Sequence, residues 1–307
     1  QDTIPDYIKE FAKIENFRLL EKKEIKLISI PNKIFRKTLS GYDQNVFIKN
    51  LQKAKYPFEI SDIKKVISLY YLGTIPKGDR KGAITFPFID VKGNVRAVQV
   101  KQFDEQNHTT GQDFLHSIIE RHLRKKKKSI PTWLKNYNNQ DKKVSCLFGE
   151  HLLNKYPNNP VALVEAPKTA IYCWLYFHEY PATKDWLWLA AGAKDYFNSE
   201  RCQALKGRNV FVFPDLSKDG KTFKEWKNKA EKYEKQLPGT RFIFSDFLEK
   251  FATENDRIQG NDIADILIDI DWRHFRAEPV TSEPAIKEKS TEQLNEQSVR
   301  SYWHGWE

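Results

Sequence analysis

The stretch VALVEAPKTAIYCW, residues 161–174, decides the fold. Val161 to Val164 form a continuous apolar run suited to a strand buried on both faces, and the run ends in a carboxylate, Glu165. Pro167 suits a first helical turn, and KTAIYCWLYF supplies the helix that follows. The pattern repeats downstream. WLWLAA (186–191) reads as a second strand with Gly192 at its turn, NVFVF (209–213) as a third that runs into Pro214-Asp215, and RFIFSD (241–246) as a fourth. A short helix near SERCQAL and the charged amphipathic helix KTFKEWKNKAEKYEKQL lie between these strands. Four apolar strands separated by helices imply an α/β fold, a parallel sheet with helices on both faces.

Upstream the pattern differs. The opening DYIKEFAKIENFRLLEKKEI carries apolar residues at helical spacing, followed by a turn at IPNK. Asp43 is placed to cap a second helix and Ser61 a third, so the first 70 residues read as mainly helical. In GAITFPFIDVKGNVRAVQVKQFD (82–104) two β-rich runs flank Asp90-Val91-Lys92-Gly93-Asn94, a hairpin signal. A basic, polar stretch follows to about residue 145. The expected division is therefore a helical and β-hairpin subdomain over 1–150, an α/β domain over 151–275, and a disordered polar tail over 276–307 that ends in the aromatic YWHGW.

Composition narrows the class. At 307 residues with 40% hydrophobic content, the chain can build real cores. Cys146, Cys173 and Cys202 are far apart and form no CxxC pair, so neither a zinc site nor a disulfide framework is expected, and they suit a reducing cytoplasm. The longest apolar runs are far short of a membrane span, and no signal peptide opens the chain, so a soluble cytoplasmic protein is expected. The net charge of +10 is uneven: residues 1–150 hold 29 Lys and Arg against 17 Asp and Glu, whereas residues 151–307 hold 22 against 24. A basic binding surface therefore belongs to the first half.

In parallel α/β sheets, ligands bind outside the carboxyl ends of the strands. Glu165 ends the first strand and Asp215 the third, so both can face one crevice, and Asp219 follows in the loop DLSKDG. Clustered carboxylates repel one another, and a hard divalent cation such as Mg²⁺, or Mn²⁺ in its place, relieves that repulsion. The competing reading is structural: Glu165 as a helix cap, Asp215 as a turn residue.

These residues resemble the Toprim domain of bacterial primases, topoisomerases and some nucleases: a glutamate after the first strand, a glycine turn after the second, an aspartate after the third. YYLGTIPKG (70–78), AITFPFIDVKGNVRAVQVK (83–101) and LFGEHLL (147–153) resemble successive segments of the bacterial primase catalytic core. With LAAGAKD and GNDIADIL, the pattern is similar to primase-like Toprim proteins of bacterial mobile elements, over about residues 40–270. The resemblance implies acid–base or metal chemistry at Glu165 and metal binding at Asp215. The family pattern continues Asp-x-Asp, but Ser217 stands at the second position, so Asp219 is the expected substitute. Asp262 is a further metal-ligand candidate beside Asp265, or the cap of a helix. No zinc module like that of primases is visible.

RHLRKKKKSIPTWLKNYNNQ (121–140) sets Arg121, Arg124, Lys125, Lys126, Lys127 and Lys128 ahead of Trp133 and Tyr137, cations for a phosphate backbone and aromatics for unpaired bases. Arg96 and Lys101 on the second hairpin strand, and Lys168 at a helix start, complete the expected nucleic-acid-binding set. Lys168-Thr169 lacks the glycines of a P-loop, and neither HExxH nor GxSxG occurs. The leading expectation is a primase-like protein on single-stranded DNA or RNA, transferring nucleotides from nucleoside triphosphates with Mg²⁺ and working beside a helicase or other replication partner. The rivals are a catalytically degenerate replication or mobilisation accessory protein and a Toprim nuclease.

Overall fold

The computed structural model describes residues 27–141 and 143–276. The opening amphipathic segment and the polar tail with its aromatic end lie outside the described residues. Two four-stranded sheets organise the chain, one antiparallel and one parallel.

The antiparallel sheet has the order β1-β2-β3-β4, with β1 Gly73–Thr74, β2 Ile84–Ile89, β3 Val95–Phe103 and β4 Thr109–Phe114. Helices α1 (Val46–Lys53) and α2 (Ile60–Tyr70) precede it, and α3 (Leu115–Lys125) and α4 (Thr132–Asn138) follow. The expected hairpin is present. Asp90 Oδ1 accepts the N–H groups of Lys92 and Asn94 at 2.9 Å, and Gly93 takes φ +81°, which closes the turn between β2 and β3. Two expected caps are corrected. Asn45, not Asp43, caps α1 by accepting Ile48 N–H at 3.2 Å, and α2 begins after Glu59, so Ser61 lies inside it. The stretch after residue 104 is also more ordered than its polarity suggests: β4, TTGQDF, pairs along β3 through its backbone, because an edge strand needs no apolar alternation.

The parallel sheet has the order β6-β5-β7-β8, with β5 Val161–Val164, β6 Leu187–Ala190, β7 Asn209–Val212 and β8 Arg241–Phe244. All four strands expected from the sequence are there. Helix α5 (Pro167–Phe177) covers one face, where Phe177 stacks on Trp188 at 5.7 Å. Helix α6 (Lys221–Gln236) covers the other: Trp226 stacks on Phe197 at 4.7 Å, and Phe197 meets Phe242 of β8 edge-on at 5.8 Å. Helices on both faces explain why β5 and β6 are buried at every position. From β5 the chain turns outward to β6 on one side and then returns to β7 on the other, so the order reverses between β5 and β7. A short helix α7 (Ile263–Leu267) packs on α5 near that point.

The two sheets share one apolar core. Phe148 exchanges backbone hydrogen bonds with Ala190 at the edge of β6, while its ring stacks on Tyr70 at 5.2 Å and meets Phe88 of β2. Tyr70 donates its hydroxyl to the Trp188 carbonyl at 2.8 Å. Buried Glu150 joins the halves as well, accepting Leu147 N–H at 2.9 Å and Val91 N–H from the hairpin at 3.2 Å. Burial pushes its carboxyl up to about 7. Among the described residues, no helix is long and apolar enough to cross a membrane.

Candidate active site

Where strand order reverses, the loops after adjacent parallel strands diverge and leave a crevice at their carboxyl ends. Glu165 leaves β5 into that crevice. Its backbone carbonyl accepts Gly192 N–H at 2.8 Å, which ties the loop after β6 to the end of β5. Gly192 sits at φ +100°, and a Cβ there would lie 2.8 Å from the Phe88 ring, so the turn requires glycine twice over. Ala166 occupies the N-cap of α5 with no side-chain cap, so Glu165 is not the cap of that helix.

Asp215 follows β7. Its Oδ1 is sealed from solvent and has no hydrogen-bond partner among the described residues. Burial, then the charges of Asp262, Glu165 and Asp265, push its carboxyl well above the usual range, with Lys168 opposing. Glu165 is raised by burial and by Asp262, against the Lys194 N–H and the charges of Lys194 and Lys101. Asp262 is raised by burial and by Asp265, against Lys168.

The remaining candidates fall into distinct places. Asp262 caps α7: Oδ1 accepts Ala264 N–H at 2.8 Å and Asp265 N–H at 3.0 Å, and Oδ2 accepts the Thr169 hydroxyl. Both its oxygens are therefore already engaged. Asp219 is exposed and accepts Lys221 N–H at 3.0 Å. Its carboxylate is also hydrogen-bonded to the side chain of Ser217, the residue at the second position of the family's Asp-x-Asp pattern. Ser217 in turn accepts Thr222 N–H at 3.1 Å.

Two of the expected nucleic-acid cations point into the crevice. Lys168 Nζ sits 2.9 Å from Asp265 Oδ1; burial lowers its pKa, but the fields of Asp262, Asp265 and Asp215 prevail and raise it. Lys101, on β3, is lowered by burial and by Lys168, while Asp262, Asp215 and Glu165 pull the other way. The antiparallel sheet thus delivers a cation to the carboxylates of the parallel sheet.

The basic run is separate. Arg121, Arg124 and Lys125 to Lys128 are exposed at the end of α3 and the turn after it; Arg121 pairs with Asp113, and Arg124 with Glu120. Arg96 is not free to bind a ligand: it holds Asp90 at 2.7 Å and donates to the Leu27 carbonyl at 3.0 Å. Trp133 is partly buried against the apolar core, and Tyr137 is fully buried with its hydroxyl on the Arg96 carbonyl at 2.6 Å, so the Tyr137 half of the expected stacking platform is structural.

Lys194 and Thr169 went unassigned in the sequence reading, although LAAGAKD and PKTA contain them. Position alone could have marked Lys194, since it lies just past the second strand end. Among the described residues, the carboxylates of the crevice do not draw together within 4.8 Å as a ready three-ligand metal group; Asp62, His178 and Glu179 do. That second cluster already holds cations, with Lys65 Nζ 2.9 Å and Arg276 3.4 Å from Asp62, and Arg276 3.2 Å from Glu179.

Residues 45–216 match the model of a domain of unknown function, DUF6371. The chain belongs to the DUF6371 family. The matched segment of DUF6371 contains Lys101, Glu165, Lys168 and Asp215 and stops before Asp262. No curated protein matches the chain. Solved structures similar to this DUF6371 protein include the DnaG catalytic core (12% identity over 77% of this chain and 73% of that one, TM-score 0.45). The DnaG primase catalytic domain bound to single-stranded DNA is 14% identical over 78% and 72%, TM-score 0.45. The primase fragment of the bacteriophage T7 primase-helicase is 12% identical over 71% of each chain, TM-score 0.36. These values are too low for a reaction or a ligand to be carried across.

Proposed function

We propose that the chain is a primase-like Toprim protein acting on single-stranded nucleic acid, with a divalent cation, Mg²⁺ or Mn²⁺, at Glu165 and Asp215. The observation that carries this reading is the sealed, unpartnered Asp215 Oδ1 amid three further carboxylates. A buried anion left unpaired among like charges is costly, and it fits a cation partner. Mg²⁺ is commonly held by one or two carboxylates, with phosphate oxygens and waters completing its shell, so Asp215 with Glu165 beside it is enough to hold one.

A bound Mg²⁺ would neutralise and align the phosphates in nucleotidyl transfer from a nucleoside triphosphate. Lys101 and Lys168 face the same space and supply positive charge for a phosphate. Asp262 and Asp265 position Lys168 and set the field. The raised Glu165 carboxyl is suited to take or return a proton.

A second reading, a degenerate accessory protein for replication or mobilisation, is favoured by Ser217 at the second position of the Asp-x-Asp pattern. The experiment that separates the readings is calorimetric titration with Mg²⁺ and Mn²⁺, comparing wild type with Asp215→Asn, followed by incorporation of labelled nucleotides on a single-stranded template. Binding and incorporation that both disappear in Asp215→Asn support the proposal. Wild-type protein that neither binds a cation nor incorporates a nucleotide leaves the accessory reading. Shortening of labelled DNA without nucleotides would identify a nuclease.

A further inference from the structure

A groove of about 1240 Å³ opens at the end of the parallel sheet opposite the acidic crevice. Asn159 before β5 and Asp185 to Leu187 at the start of β6 form its floor, and α2 and the β2–β3 hairpin form its walls. Arg36, Lys64, Lys65, Lys92, Lys155 and Lys184 line it, and Asp185 is the single acid among the described lining residues. Arg36, Lys64, Lys92 and Lys184 are exposed, and none of them pairs with a described carboxylate. Lys65 is paired with Asp62, and the other five cations against one acid on a concave surface focus positive potential into the groove.

The groove also presents aromatic rings. Tyr71 is 46% exposed at its edge. Its backbone sits at φ +51°, a left-handed conformation unfavourable for a bulky side chain. Glycine or asparagine would end α2 there more easily; the tyrosine instead sets one part of its ring against His151, at 5.3 Å, and leaves the rest open to the groove. Trp174 lines the groove with one face stacked on His178 at 4.1 Å, and the Lys155 ammonium lies 5.1 Å from the Tyr156 ring.

We propose that this groove binds a single-stranded nucleic-acid tract of about four nucleotides, with its cations on phosphates and Tyr71 stacked on a base. Lone cations would serve any acidic chain; the flat exposed ring beside them selects bases. The tract lies at the opposite end of β5 and β6 from Glu165, so the groove stands whether or not the acidic crevice is a catalytic site. It is also distinct from the run Lys125 to Lys128.

The test is fluorescence anisotropy of the full chain with fluorescein-labelled (dT)20 and (rU)20 over a salt series. Lys64→Glu/Lys184→Glu is expected to weaken binding more than tenfold and to make the logarithmic salt dependence shallower by about one to two units. Tyr71→Gly is expected to weaken binding about fivefold or more while the melting temperature holds or rises, because glycine relieves the left-handed backbone. Lys227→Glu/Lys232→Glu, the same change of charge at two exposed positions of α6 outside both the groove and the crevice, is expected to bind as wild type does. Comparable affinity for the two oligonucleotides identifies the shared phosphate-and-base chemistry, and a marked preference identifies the sugar that the groove accepts. Groove variants that bind as tightly as wild type, or displacement of labelled (dT)20 by polyglutamate as effective as by unlabelled (dT)20, would overturn the proposal.

Discussion

Two groups of acids lie at opposite ends of α5, and their electrostatics have opposite signs. At the carboxyl end, Asp62 and Glu179 meet Lys65 and Arg276 beside the His178 ring. Burial pushes the Asp62 carboxyl up, but the Lys65 hydrogen bond and the charges of His178, Lys65 and Arg276 outweigh it and hold the group below the usual range. At the amino end, Glu165, Asp215 and Asp262 share Lys168 and Lys101, and all three carboxyls are raised. Carboxylates that serve the fold are neutralised where they stand, whereas those of the crevice are left electrostatically unsatisfied. Proteins tolerate such imbalance where a ligand resolves it.

The most disruptive way to test the contrast is Asp62→Asn. Arg276 and His178 are largely buried, and losing the carboxylate strands their charge and hydrogen-bonding capacity; stability should fall by about 2 kcal/mol, discounted because Lys65 is exposed. Urea denaturation at pH 7 measures it, and a change near zero would remove the distinction between the two clusters.

Asp215→Asn should act in the opposite direction, raising stability by about 1 kcal/mol because a buried unpaired charge becomes neutral. Its sign follows from linkage. The folded protein holds the Asp215 proton more tightly than the unfolded chain, so the wild type loses stability as pH rises above the ordinary value of 3.8. The variant's advantage should therefore be absent in acid below that value and grow as pH rises towards the raised value of the folded state. Melting curves from pH 3.5 to 7 would reveal it, and destabilisation by Asp215→Asn at pH 7 would show that the crevice is already balanced.

The smallest effect is expected from Lys194→Ala. Lys194 pairs with Glu225 at 2.9 Å on the surface and touches Glu165 through its own backbone N–H, which alanine keeps. The melting temperature should not change measurably. A clear drop would mean that the Lys194 side-chain charge, and not the backbone, restrains Glu165.

Much of this was legible beforehand. VALV, LWLA, NVFV and RFIF are each apolar enough to be strands, and the breaks between them left only a parallel arrangement; Glu165 and Asp215 followed because strand ends place them together. TTGQDF carries no such signal, so β4 was invisible: an edge strand is held by its neighbour's backbone. Tyr137 was misread because an aromatic beside lysines looks the same in sequence whether its ring faces a base or a core.

The sequence by itself determined the two element patterns, the uneven charge and the carboxylates at the strand ends, all properties of residues near one another in the chain. Only the tertiary structure decided which charges meet. Lys101 reaches Asp215 across 114 positions and Arg276 reaches Asp62 across 214, and Asp185 is the single acid in a groove of six cations drawn from five separate segments. Coulombic interactions act over distance in space and depend on burial, and neither quantity is written along the chain.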